Sequence, residues 1–116
     1  MLIEFLVGAA IGAIIGAAVI GICECIKLAV NYFNCHSEVD TIKVVKRGSS
    51  ELTSVMRSFP RINAAMQGEA TGAVLLYENG VLTRYATVEK EFSEDFNGCS
   101  GYKVYRHDQE TAHKIY

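Results

Sequence analysis

MLIEFLVGAAIGAIIGAAVIGICECIKLAV, residues 1–30, decides how the rest of this chain is read. From Phe5 to Cys23 the stretch carries no charged side chain. A helix over that run rises about 28 Å at roughly 1.5 Å per residue, close to the hydrocarbon thickness of a bilayer. The run therefore predicts a transmembrane helix with an interfacial end over residues 1–33.

At about 100° per residue, Val7, Ile11, Ile14, Ile15, Ala18 and Ile22 share one arc of that helix. Gly8, Gly12 and Gly16 form two overlapping G-x-x-x-G repeats away from it, with Ala9, Ala13 and Ala17 beside them. Small residues let two helix backbones approach, and in lipid such close packing drives association. The expected oligomer interface is thus Gly8, Ala9, Gly12, Ala13, Gly16 and Ala17, in a homo-oligomer held through the transmembrane helix. Glu4 marks the outer membrane interface. Glu24, with Lys27 three residues on, and the aromatic pair Tyr32 and Phe33 mark the inner one.

Basic residues stay on the cytoplasmic side of a span. Lys27, Lys43, Lys46 and Arg47 follow the run, whereas only Glu4 and the terminal amine precede it. The expected location is the cell membrane, single-pass, with the N-terminus outside and the C-terminal domain cytoplasmic. A secretory leader calls for a positive start, and Glu4 stands there instead. Ile22 before Cys23 is not the small residue that lipoprotein processing requires, so a retained anchor is expected. Cys23, Cys25, Cys35 and Cys99 then mostly face a reducing compartment, where no structural disulfide is expected.

A chain of 116 residues has room for one anchor and one folded unit of about eighty residues. The formal net charge of -2 is unevenly spread, with nearly all charges beyond Glu38. No basic tract or aromatic-plus-basic stripe stands out, so no nucleic-acid partner is expected. The partners expected are membrane lipid, a second copy of the chain and a cytoplasmic protein.

After a linker over 34–40, residues 41–107 read as a small α+β cytoplasmic domain. Thr41 to Arg47 is rich in β-branched residues and closes on Gly48, which predicts a strand. Ser49 or Ser50 caps a helix carrying Leu52, Val55, Met56 and Phe59 on one face. Pro60 interrupts it, and a second short helix with Ile62, Ala65 and Met66 precedes Gly68. Asn79-Gly80 between Ala73 to Glu78 and Val81 to Lys90 predicts a two-residue hairpin. That register sets Tyr77 against Leu82 and Leu75 against Arg84, with Val74, Leu76 and Tyr85 on the other side. A last strand covers Tyr102 to Arg106, and residues 108–116 read as a polar tail, frayed or a short helix. The expected fold class is α+β: an N-terminal transmembrane helix, then a small antiparallel sheet covered by one helix, in the order β-α-β-β-β.

Candidate chemistry is sparse. Cys23, Cys25, Cys35 and His36 are spaced like no standard zinc site, so no metal is expected. Cys99 sits in Gly98-Cys99-Ser100-Gly101 with His107, Asp108 and His113 downstream, but turn chemistry accounts for the glycines. Glu69, Glu78, Glu89, Glu91, Glu94 and Asp95 are scattered without a paired-carboxylate spacing. No catalytic residue, no cofactor and no enzymatic activity are expected.

The opening Phe-Leu-x-Gly-x-x-x-Gly-x-x-x-Gly, with a cysteine near its inner end, resembles short single-pass proteins of unknown function carried by phages and conjugative elements of Gram-positive bacteria. The likeness covers about a quarter of the chain and implies no activity. The same start is similar to mature type IV pilins, whose apolar first helix carries an early Glu. Here Glu4 falls one residue early, no basic leader ending in Gly precedes it, and pilins lack the triple glycine repeat. The expected function is a membrane-anchored, self-associating protein presenting a docking or regulatory domain. The alternatives are a holin-like or toxin-like permeabilising oligomer and a pilin-like filament subunit.

Overall fold

A computed structural model of the chain describes residues 4–5 and 19–116. Its order is β1 (Glu4–Phe5), β2 (Val19–Ile20), α1 (Ile22–Cys35), β3 (Thr41–Lys46), α2 (Ser50–Ser58), α3 (Pro60–Ala65), β4 (Gly72–Glu78), β5 (Val81–Val88), β6 (Glu91–Phe92), a 3-10 turn (Glu94–Phe96), β7 (Gly101–Tyr105) and β8 (Asp108–Ile115). Six strands form one sheet in the order β1-β5-β4-β3-β7-β8, antiparallel except for the β1 and β5 pair. The short β2 lies parallel to β6 in a separate two-stranded sheet.

The α+β domain with its antiparallel sheet is present, and the transmembrane helix is corrected. Among the described residues no helix is long and apolar enough to cross a membrane. Two positions inside the supposed span, Phe5 and the pair Val19–Ile20, are strands that take their hydrogen-bond partners from β5 and β6. Gly21 then starts α1, where its N–H donates to Glu24 Oε2 at 3.0 Å. The apolar side chains of α1 meet protein and not lipid: Cys25, Leu28, Ala29, Tyr32 and Phe33 are buried, with the i, i+3, i+4, i+7, i+8 spacing of one helical face.

Glu24 therefore closes a helix N-terminus where a head-group position was expected, and Tyr32 and Phe33 are core residues where an aromatic belt was expected. Lys27 stands exposed on the outer face of α1. Glu4 occupies β1 opposite Arg84. The predicted interface residues Gly8, Ala9, Gly12, Ala13, Gly16 and Ala17 lie outside the described residues.

Two apolar clusters sandwich the sheet. On one face α1 packs over Ile42, Val44, Val74, Leu76, Ala86, Tyr102 and Val104. On the other, α2 and α3 set Leu52, Ile62 and Met66 against Val45, Ala73, Leu75, Leu82 and Tyr85. The sheet is thus covered by helices on both faces and not by one helix on one. Burying both faces of β3 and β4 is the main driving force available to a domain of this size.

Local signals placed the helical hairpin correctly. Ser49 caps α2 by accepting from the Leu52 N–H at 3.2 Å. Pro60 opens α3 at its first turn, where a missing N–H costs nothing. Asn79 and Gly80 take φ of 53° and 77°, the left-handed pair that a two-residue hairpin requires. Tyr77 does face Leu82, but a register shift between Leu76 and Tyr77 then sets Leu76 opposite Arg84 and Leu75 opposite Tyr85. This bulge moves Tyr85 from the expected side into the α2 and α3 layer. Residues expected as a polar tail are β8, paired to β7 with Gly101 opposite Ile115 and Lys103 opposite His113.

Candidate functional site

The helices α2 and α3 cover only part of their face of the sheet. Their apolar contacts reach β5, β4, the end of β3 and Ile115 at the end of β8. The start of β3, with the facing parts of β7 and β8, is left open, and register determines what stands there. Tyr77, Thr41 and Tyr105 form one row across β4, β3 and β7; Leu75, Lys43, Lys103 and His113 form the next. Neighbouring strands lie about 4.8 Å apart, so the two tyrosines flank Thr41 at about 10 Å from one another.

Charge on this surface is unevenly compensated. Lys43 Nζ lies 4.6 Å from the centre of the Tyr77 ring and 2.7 Å from Glu51 Oε1 on α2. Burial, with the Glu51 carboxylate nearby, pushes the Tyr77 hydroxyl up to about 12, so it is a neutral donor at any physiological pH. Lys103 Nζ lies 5.6 Å from the Tyr105 ring centre. Among the described residues no carboxylate pairs with Lys103.

The β7–β8 hairpin completes the surface. The rings of Tyr105 and His107 stack at 5.4 Å, and His113 meets the same tyrosine ring at 5.4 Å from another side. His113 Nε2 is 2.8 Å from Asp108 Oδ2. Hydrogen bonds from His113, and then from Thr111, hold the Asp108 carboxyl below its usual range. Between these two residues β8 departs from regular pairing: Tyr105 faces Asp108 and Lys103 faces His113, which leaves Gln109 to Ala112 against Val104 alone. The Asp108 and His113 contact joins the two ends of that bow.

Other residues singled out by sequence are placed differently. Cys99 is buried and its thiol donates to the Phe96 carbonyl at 3.4 Å, while the ring of His113 is taken up by Asp108 and Tyr105. The nucleophile and base are not assembled. His36, the C-cap of α1, stacks on Tyr32 and engages Arg84 and Glu38. Cys25 lies on the buried face of α1, and burial, with Glu24 next, pushes its thiol up to about 12. Cys23 and Cys35 stand exposed. Among the described residues no three of His, Cys, Asp and Glu gather as ligands for an ion.

In the sequence His107, Asp108 and His113 stand out only as partners for Cys99, and nothing there joins Lys43, Tyr77, Lys103 and Tyr105 into a site. One signal was readable: Lys103, Tyr105 and His107 alternate with period two, which sets all three on one side. No protein-family model, no curated protein and no solved structure matches this chain.

Proposed function

We propose that this chain is a non-enzymatic docking module that holds an acidic polypeptide segment on the open face formed by Thr41, Lys43, Tyr77, Lys103, Tyr105, His107 and His113. One observation carries the reading: Lys103 faces Lys43 across adjacent strands and, among the described residues, has no carboxylate of its own. Directly opposed like charges destabilise a sheet, and an anion brought by a partner relieves them. The tyrosines supply rigid contact area beside that charge, which suits a protein interface.

A polypeptide is favoured over a nucleic acid by charge. The chain is net negative, and among the described residues its open face offers two lysines, too few to neutralise the phosphates of a polyanion. A greasy partner is disfavoured because, among the described residues, Val19, Val81 and Tyr116 are the only large apolar side chains standing exposed. The glycine stripe plays no part in this reading, since its packing argument assumes lipid around it.

Fluorescence anisotropy of a labelled glutamate-rich peptide with the full chain at pH 6 tests the proposal. Saturable binding that fails with a lysine-rich peptide, and that Lys103→Glu or Tyr105→Ala abolishes, supports it. Equal binding of both peptides, or unaltered binding by Lys103→Glu, overturns it.

A further inference from the structure

We infer that His107 and His113 set the affinity of the open face, holding an acidic partner in mildly acidic solution and releasing it above neutrality. The inference rests on the docking reading. With both imidazoles neutral, Glu51 engages Lys43 and Asp108 engages the His113 ring. The face then attracts an anion through Lys103, which no carboxylate engages among the described residues. Protonation of both rings adds two positive charges and no negative ones, so the balance tips toward anion binding. Imidazole is the side chain that ordinarily changes charge between pH 5 and 8, whereas the carboxylates and lysines keep theirs.

The surroundings of the two rings permit this. His107 is exposed at the hairpin turn, stacked on Tyr105, and shares a surface concavity with Arg106, Asp108 and Glu110, whose charges stay fixed between pH 5.5 and 8. His113 is half exposed and meets Asp108 of its own strand, Tyr105 and Lys103 of β7, with Lys43 of β3 and Glu51 of α2 one strand further. The helix α1 packs on the opposite face. Asp108 also gives the change a direction in space. A protonated His113 draws the carboxylate into a charge-assisted hydrogen bond, which fastens the bow of Gln109 to Ala112 and takes one negative charge out of competition with the incoming segment.

The test is the glutamate-rich peptide titrated into the full chain at pH 5.5 and pH 8, where its own carboxylates stay ionised. Wild type is expected to bind between about three- and tenfold tighter at pH 5.5, the scale of two exposed ion pairs. His107→Gln should remove part of that response, and His107→Gln with His113→Gln should remove all of it, so that the double variant binds the peptide equally at the two pH values. His107→Gln is the safer variant, because its ring is exposed at a turn. Equal wild-type binding at both pH values, or an intact pH response in the double variant, overturns the inference and leaves the docking face standing. Absence of binding at both pH values overturns the docking face itself.

Discussion

Lys43 and Lys103 stand directly opposite one another on β3 and β7, two cations side by side at the centre of the open face. Reversing one of them should separate stability from binding. Lys103→Glu creates an opposite-charge cross-strand pair, and stability is expected to stay level or rise by up to about 1 kcal/mol. The same change should remove binding of a glutamate-rich peptide. Urea denaturation and anisotropy on one sample measure both, and a large loss of stability would show that Lys103 is held for structural reasons.

Arg106 is the side chain that closes α1. Its guanidinium donates to the carbonyls of Val39 at 2.7 Å, Phe33 at 3.0 Å and His36 at 2.6 Å, and lies 4.9 Å from the centre of the Phe33 ring. A lysine cannot reproduce three donors in fixed directions. Arg106→Lys is expected to cost about 2–3 kcal/mol in chemical denaturation, with hydrogen exchange accelerated first at Phe33 to His36.

Gly101 and Gly68 make a matched pair for glycine replacement. A Cβ at Gly101 would overlap the carbonyl oxygen of Val44, because β7 approaches β3 there without a side chain between them. Gly101→Ala should cost about 1–3 kcal/mol through forced separation of the strands. Nothing stands within 4 Å of a Cβ at Gly68, and Gly68→Ala should be neutral or stabilising by up to about 1 kcal/mol. Thermal melting of the two variants checks the contrast.

The four thiols should divide into two pairs. Cys23 and Cys35 are exposed and should react with an alkylating reagent at once, whereas Cys25 and Cys99 are buried and should wait for unfolding. Cys25 also predicts an alkaline limb. Its folded value is raised from 9.0 to about 12, so the stabilisation from a neutral thiol is fully present below pH 9 and is lost as pH climbs toward 12. Tyr77, raised from 10.0 to about 12, adds to the same limb. Melting temperature followed from pH 8 to pH 11 should fall, and a flat profile would count against burial of both groups.

Much of the domain was legible from punctuation. Ser49, Pro60 and Asn79-Gly80 each act through their own backbone chemistry, so α2, α3 and the hairpin could be placed without knowing their neighbours. The helix α1 was not, although its buried positions have the regular spacing of an amphipathic face. That spacing was submerged in a longer uncharged run, and residues on either side of the strand-to-helix change at Gly21 look alike when only polarity is read. The bulge beyond Tyr77 and the identity of β8 depend on long-range pairing, which composition does not encode; an edge strand with polar side chains reads as a tail. The open face was partly visible in Lys103, Tyr105 and His107, but their union with Lys43 and Tyr77 required β3 to be known as the strand between β4 and β7.

The reach of Arg106 has a bearing on how the chain comes together during synthesis. A helix completed by Cys35 keeps its final carbonyls without their protein donor until a residue 73 positions beyond Phe33 has emerged. Early in translation α1 is a segment whose inner side is apolar and whose last turn is loose. The late β7–β8 hairpin closes it, covering that side with Tyr102 and Val104 and delivering the guanidinium in the same movement.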